Sequence, residues 1–198
     1  MKLVNRFRFL VLLFMAVMLT QNAGAVPVEW GLSLENRTVE FYDVVDPAVQ
    51  IAEVACNVYH HWPVGPHADQ YVYTYRITNT SDDELSFFSV SILGGSDVES
   101  PEYGSDGVQP DNWDIVSSYE RVEGLFTTSI GSGYSSALLW FFSDHEYTDC
   151  GHGALSGMSS AGYVFAVGDN LLTPVPEPAT IALLGMGGLA LLGKRRSA

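Results

Sequence analysis

The amino-acid sequence predicts an all-β domain, an antiparallel β-sandwich, from three observations. Short segments rich in Val, Ile, Tyr, Phe and Thr recur along the chain, and clusters of Gly, Ser, Asp and Pro separate them. In residues 71–78, Tyr or Ile occupies every second position and Val, Thr or Arg lies between them, which is the alternation of a half-buried strand. Between the apolar segments at the two chain ends, no long helical period occurs. Such a pattern is typical of a sandwich of short strands.

Two neighbouring segments predict an antiparallel hairpin over residues 71–93. In the first, 71–78, aromatic residues and Ile77 occupy every second position. A polar turn at 79–84 follows, and in the second segment, 85–93, Phe88, Val90 and Ile92 share one face. Five further strands are predicted, in chain order at 39–45, 51–59, 125–129, 137–143 and 162–167.

The stretch from Tyr73 to Ser81, Tyr-Thr-Tyr-Arg-Ile-Thr-Asn-Thr-Ser, resembles strands of immunoglobulin-like sandwich domains in secreted bacterial proteins. The resemblance covers nine residues and implies an immunoglobulin-like fold; a jelly-roll-like sandwich stays open as the alternative. No internal repeat is present, which argues against a solenoid or a propeller.

The N-terminal segment, residues 1–25, is predicted to be a signal peptide helix. Its basic start is followed by an apolar run at 9–19 that is too short to span a bilayer, and then by small residues. The basic residues are Lys2, Arg6 and Arg8, and the cleavage site is Ala23-Gly24-Ala25. We therefore expect export by the secretion machinery, cleavage by signal peptidase and a mature chain that begins at Val26.

The C-terminal segment joins a proline-rich strip to an apolar run and a basic cluster. Residues 179–193 carry no charge and would form a helix of roughly 22 Å, short of the ~30 Å hydrocarbon core of a bilayer. Snorkelling by Lys194, Arg195 and Arg196 can cover the difference and places the tail 194–198 on the cytoplasmic side. Pro176 and Pro178 favour an extended, accessible strip outside the membrane.

This tripartite tail, with Pro176-Glu177-Pro178, the apolar run and Lys194-Arg195-Arg196 in order, resembles a PEP-CTERM sorting signal. The resemblance implies export by a Gram-negative bacterium and transient anchoring in the inner membrane. It further implies cleavage by an exosortase and delivery to the cell surface or exopolysaccharide matrix. An ordinary C-terminal anchor that is never cleaved is the alternative.

The predicted organisation is therefore a sandwich ectodomain at 26–172, a linker at 173–178 and the membrane helix at 179–193. Six of the nine basic residues lie in the two terminal segments. Three arginines thus remain against all 23 acidic residues, which gives the exported part a net charge of −20. Such a surface repels nucleic acid and anionic lipid, so no nucleic-acid partner is expected.

An acidic stretch at 94–118 contains six carboxylates and no basic residue. Because Ca²⁺ takes six to eight oxygen ligands, a calcium site with Asp97, Glu99 and Asp106 is one interpretation. The spacing does not match an EF-hand loop, and a solvated loop that binds no metal or cofactor explains the stretch as well.

Cys56 and Cys150 are the two cysteines of the chain, and in an oxidising compartment such a pair is expected to form a disulfide. All five histidines lie near them in sequence, which would cluster these side chains around the bond. A Cys/His metal site and a His-rich surface loop remain as alternatives. The spacing matches no zinc motif, and oxidised cysteines cannot act as thiolate ligands.

No catalytic motif occurs in the sequence, neither a nucleophile elbow nor a zinc-protease or phosphate-binding motif. We therefore predict a protein without enzymatic activity that associates with exopolysaccharide or a biofilm. The alternative is a carbohydrate-binding module in which Trp62 and Trp113, both in polar surroundings, stack on sugar rings; Trp140 is interpreted as core. A hydrolase with two catalytic acids among the 23 carboxylates is the third hypothesis.

Overall fold

The fold of the described residues is entirely strands and turns. The computed structural model describes residues 32–60, 67–92, 97–116, 121–160 and 162–175. Its ten strands are β1 Leu32–Asp43, β2 Gln50–His60, β3 Tyr71–Asn79, β4 Glu84–Ser91, β5 Val98–Tyr103, β6 Asn112–Val116, β7 Arg121–Ile130, β8 Leu139–Ser143, β9 Tyr147–Ser159 and β10 Gly162–Pro174. The all-β prediction is confirmed.

The ten strands form one antiparallel sheet rather than two. Their order is β5-β8-β3-β2-β1-β10-β9-β4-β7-β6, and every pairing between named strands is antiparallel. The edge strands β5 and β6 contact each other, so the sheet rolls until its two ends meet. A sandwich of two separate sheets, immunoglobulin-like or jelly-roll-like, is therefore not confirmed, although the two halves of the rolled sheet do face each other.

The predicted hairpin over 71–93 is wrong in its pairing. Both strands exist, but β3 pairs with β2 and β8, whereas β4 pairs with β9 and β7. Buried Asn79 redirects the chain between them: its Nδ2 donates to the carbonyl oxygens of Asp83 at 2.6 Å and Ile130 at 2.7 Å. These bonds hold the end of β3 beside the end of β7. The chain therefore crosses there to the opposite half of the rolled sheet, where β4 lies.

Aromatic side chains fill the centre of the rolled sheet. The ring of Tyr75, fully buried, lies 5.7 Å from that of Phe141, 6.1 Å from that of Phe88 and 6.5 Å from that of Trp113. Its hydroxyl donates to the carbonyl oxygen of Leu172 at 2.6 Å. Burial raises the pKa of this phenol well above its usual value. Tyr75 thus connects β3 to both β8 beside it and β10, β4 and β6 in the facing half.

The sequence does not predict strand β9, because its glycines are typical of a loop. The structure explains them by close approach of neighbouring atoms. Gly153 of β9 pairs with Gly168 of β10, and the buried ring of Phe41 lies over both. A Cβ at either glycine would come within 2.7 Å of a Phe41 ring carbon. The glycine pair therefore makes room for an aromatic ring against the sheet.

Strands β5 and β6 occupy the stretch that was predicted to be one acidic loop. Both are short edge strands of six and five residues, with Pro101 inside β5 and Pro110 two residues before β6, so neither shows a long hydrophobic alternation. Edge strands of this composition resist pairing with other chains. The prediction of a loop is therefore wrong for residues 98–103 and 112–116.

The predicted Cys56–Cys150 disulfide is absent, and both thiols are free. Cys56 is buried in β2, where its Sγ lies 3.5 Å from the carbonyl oxygen of Arg37, while Cys150 in β9 is exposed. One thiol belongs to the interior and the other to the solvent face of the rolled sheet. Burial raises the pKa of the Cys56 thiol, which lowers its reactivity.

The two predicted terminal helices, at 1–25 and 179–193, lie outside the described residues. Within the described ranges, the chain contains no apolar helix of membrane-spanning length.

Replacing Gly168 with alanine should destabilise the domain by about 1–3 kcal/mol, because the new methyl group would lie 2.5 Å from the Phe41 ring. Gly131→Ala is the matched control, since the nearest atom would be Tyr134 Cδ2 at 3.7 Å. Urea unfolding of both variants measures the difference. Equal stabilities would show that the Phe41 ring does not constrain Gly168.

Alkylation of the unreduced protein tests the free thiols. We expect iodoacetamide to modify Cys150 alone in the folded protein and both cysteines after unfolding, because Cys56 is buried. Peptide mass spectrometry identifies the modified sites. The Cys150→Ser control should show no modification when folded and one when unfolded. If both cysteines of the unreduced wild-type protein stay unmodified even after unfolding, the disulfide prediction is correct after all.

Candidate functional site

A groove on the outer surface opens where strands β1 and β10 separate. In the described part of the chain, these strands pair only at Tyr42 with Val167 and at Asp43 with Ala166. Beyond that point β1 continues to pair with β2 and β10 with β9. The space between them has a volume of about 620 Å³. Its lining residues are Arg37, Thr38, Val39, Glu40, Tyr42, Glu53, Val167, Gly168, Asp169 and Asn170.

Arg37 crosses from one side of this groove to the other. Its guanidinium donates from Nη1 to Asp149 Oδ2 at 3.3 Å and to the carbonyl oxygen of Asn170 at 3.4 Å. These contacts join β1 to β9 and β10 at the end of the groove opposite the Tyr42 and Val167 pair. Past the Tyr42 and Val167 pair the groove stays open, whereas Arg37 forms a boundary at this end. Asn170 adopts a positive φ of 68°, which turns β10 at this boundary.

The walls of the groove carry carboxylates that other side chains already orient. Glu40 accepts a hydrogen bond from the Tyr42 hydroxyl, and this bond raises the pKa of Tyr42. Glu53, which is the direct cross-strand partner of Glu40, accepts from Gln50 Nε2 at 3.2 Å. On the other wall, Asp169 Oδ1 lies 2.6 Å from His152 Nδ1. Like charges directly opposite on neighbouring strands destabilise a sheet, so the Glu40 and Glu53 pair lowers the stability of the β1–β2 pairing.

An apolar strip continues from the groove along the outer face of β10. Tyr163, Phe165 and Val167 occupy alternate positions, and their exposed fractions are 90%, 48% and 42%. Exposed Tyr42 of β1 lies beside Val167. Exposed Val44, which directly follows β1, lies beside Phe165, because its amide donates to the Phe165 carbonyl oxygen at 3.0 Å. Polar groove and apolar strip therefore form one continuous surface. No sequence motif marks these residues, which come from three separate strands, β1, β2 and β10.

The C-terminal sorting motif begins directly after the last strand. Pro174 pairs with Tyr147 of β9, and the Val175 amide donates to the Glu146 carbonyl oxygen at 2.9 Å. The sequence predicts that Thr173 and Pro174 lie in the linker at 173–178, but they belong to β10 and are buried. One residue, Val175, separates the strand from Pro176. The motif residues Pro176, Glu177 and Pro178, the basic Lys194, Arg195 and Arg196, and the signal-cleavage residues Ala23 and Ala25 lie outside the described residues.

The three calcium candidates are not brought together as a site. Asp106 forms an ion pair with Arg76, its Oδ2 lying 2.5 Å from Nη2, and this hydrogen bond holds the pKa of Asp106 below its usual value. Glu99 lies on β5, where its Oε2 is 3.9 Å from His67 Nδ1, and Asp97 precedes that strand. Across the described ranges, no group of three or more His, Cys, Asp or Glu side chains could hold a metal ion.

The tryptophan predictions need correction for Trp113. This residue lies in β6 and is buried, with 5% of its surface exposed and its Nε1 donating to the Trp140 carbonyl oxygen at 2.9 Å. Its ring stacks on Phe88, with 6.1 Å between centroids, so it cannot stack on a sugar. Polar neighbours in sequence suggested a loop, but in an edge strand they point outward while Trp113 points inward. Trp62 lies outside the described residues.

Trp140 and one histidine belong to a second apolar cluster. Trp140 is partly buried against a cluster formed by Tyr59, Val72 and Phe142. His67 covers this cluster by stacking on Phe142 at 4.0 Å between ring centroids. The histidines therefore do not gather around a bond between the cysteines: His67 packs here, whereas His152 lies beside Asp169 at the groove.

Comparison with known proteins gives one match, to the C-terminal segment. The sequence profile described as the PEP-CTERM protein-sorting motif matches residues 174–196. No curated protein and no solved structure matches the chain. The match confirms the sorting signal that the tripartite tail predicts. It identifies the protein as carrying the signal of an exported exosortase substrate, which is anchored in a membrane before it is processed.

Proposed function

We propose that this protein is a non-enzymatic component of the bacterial cell surface or extracellular matrix, retained with exopolysaccharide after exosortase processing. The observation that carries the proposal is the sorting motif at 174–196, joined to a folded β domain with a single residue between the last strand and Pro176. A Gram-negative producer, final delivery to the surface and the polysaccharide partner are parts of the proposal.

The charge of the exported domain supports this role. With three arginines against 23 acids, the exported part has a net charge of −20, and all three arginines form ion pairs, with Asp149, Asp106 and Glu123. Such a surface stays soluble at high concentration and avoids nucleic acid and anionic lipid. These properties suit a protein that must leave the membrane and stay dispersed in a hydrated matrix.

Intact mass spectrometry of the native protein tests the processing. In matrix fractions of cells with exosortase, we expect a form that begins at Val26 and ends near Pro176. In cells without exosortase, the membrane fraction should instead hold a form that still carries Lys194 to Ala198. An unprocessed membrane form in both strains would make the tail a permanent anchor and would overturn the proposal.

Replacing Glu177 with alanine should impair surface delivery and leave folding unchanged, because the last described strand ends at Pro174. Cell fractionation measures delivery, and thermal unfolding measures the fold. Glu146→Ala is the control: it alters a nearby acid and leaves the matched motif intact. Normal delivery of the Glu177→Ala protein would exclude this side chain from recognition.

A further inference from the structure

We propose that the groove between β1 and β10, with its apolar strip, binds a polysaccharide rich in hydroxyl groups and free of acidic groups. The inference rests on the proposed function and gives the retention in the matrix a molecular site. It replaces the tryptophans suggested by the sequence with a surface built from Tyr42, Glu53, Phe165, Asp169 and Asn170.

The dimensions of the groove suit several sugar rings. Its volume of about 620 Å³ lies within the range of roughly 300–1,000 Å³ that is usual for ligand pockets. The groove is bounded by Arg37 at one end and continues past the Tyr42 and Val167 pair onto the strip at the other. An open-ended surface of this kind can accept a chain that extends beyond the bound segment.

The polar groups of the groove match the chemistry of sugar hydroxyls. Carboxylates of Glu40, Glu53 and Asp169 accept hydrogen bonds, and the Thr38 hydroxyl and Asn170 amide can also donate them. Glu40 and Glu53 are held by Tyr42 and Gln50, so their positions are set before a ligand arrives. Such preorganisation reduces the entropy cost of binding.

The charges of the groove decide which sugars are accepted. Among the described residues that line it there are three carboxylates and one cation, Arg37, which is engaged by Asp149. A uronic acid or sulfated sugar would add like charge beside the facing Glu40 and Glu53, whereas a hydroxyl or amino group would donate to them. Neutral and amino-bearing polysaccharides are therefore the ligand class, and acidic ones are excluded.

The apolar strip supplies the faces on which sugar rings pack. Tyr163 and Phe165 leave large apolar surfaces in solvent, and their side chains lie on the same face as Tyr42 and Val167 of the groove. Contiguous exposed apolar patches commonly mark binding sites. A sugar ring presents an apolar C–H face and polar edges, so this strip next to a carboxylate-lined groove fits both parts of the ring.

Binding of defined oligosaccharides to the full exported protein, purified from its producing cells, tests the proposal. Calorimetric titration would compare hexamers of β-linked glucose, glucosamine and uronic acid. We expect the glucose or glucosamine hexamer to bind and the uronic acid hexamer not to bind. Tyr42→Ala and Phe165→Ala should each weaken binding by about tenfold, the effect of losing one aromatic contact.

Matched variants separate the groove from general attraction to an acidic protein. Asp169→Asn and Glu53→Gln should weaken binding, whereas Glu102→Gln on exposed β5 should bind like wild type. Tyr134→Ala, which removes an exposed ring from the turn at 131–134, is the aromatic control. Asp169 is 70% exposed, so its variant tests the groove without disturbing the core.

Two results would overturn the groove as a polysaccharide site. One is the absence of binding to all three hexamers and to a wider panel of neutral and amino sugars. The other is binding that Glu102→Gln and Tyr134→Ala reduce as much as the groove variants do. Neither result touches the processing measured by mass spectrometry, so failure of the site and failure of the proposed function are distinguishable.

Discussion

The contact of Tyr75 with the facing half of the sheet is the constraint on which the architecture depends. Antiparallel pairing joins each strand to its neighbours, but it does not decide how far a ten-stranded sheet curves. Tyr75 does so because its ring lies between Phe141 of its own half and Phe88 and Trp113 of the other, and its hydroxyl bonds to Leu172. A buried phenol hydroxyl without an acceptor would destabilise the fold. The bond from Tyr75 to Leu172 therefore holds β3 and β10 at a set distance from each other.

The sequence predicted the strands whose side chains alternate clearly, and it failed where alternation was hidden. β2 and β3 place apolar side chains on the interior face at every second position, which leaves a period-two pattern, while β8 is a short continuous apolar run. In β9 three interior positions are glycines, at 151, 153 and 157, because neighbouring side chains, Phe41 among them, and backbone atoms occupy the space. The partners of β3 and β4 could not be predicted either, since the choice depends on how the Asn79 amide meets Ile130, a residue distant in sequence.

The sorting motif and the proposed binding groove differ in how far the sequence reveals them. The sorting motif is contiguous, so the order of its parts along the chain is itself the signal. The groove instead arises where pairing between β1 and β10 stops, and its residues come from strands near both ends of the described chain. Nothing in the local sequence around Glu53 or Asp169 distinguishes them from the other acids. The disulfide prediction failed for a related reason, because the number of cysteines says nothing about which face each one occupies.

The end of the sheet from which the chain leaves determines how the domain stands on a membrane before cleavage. Leu32 pairs with His60, His60 pairs with Tyr71, and the Tyr71 hydroxyl donates to Glu146, whose carbonyl oxygen accepts from Val175. Both ends of the described chain therefore leave from the same pole of the rolled sheet. A domain tethered through Val175 would turn that pole towards the lipid and direct Tyr163, Phe165 and the β1–β2 turn outward. The anchored precursor would then already present its apolar strip to the space beyond the membrane.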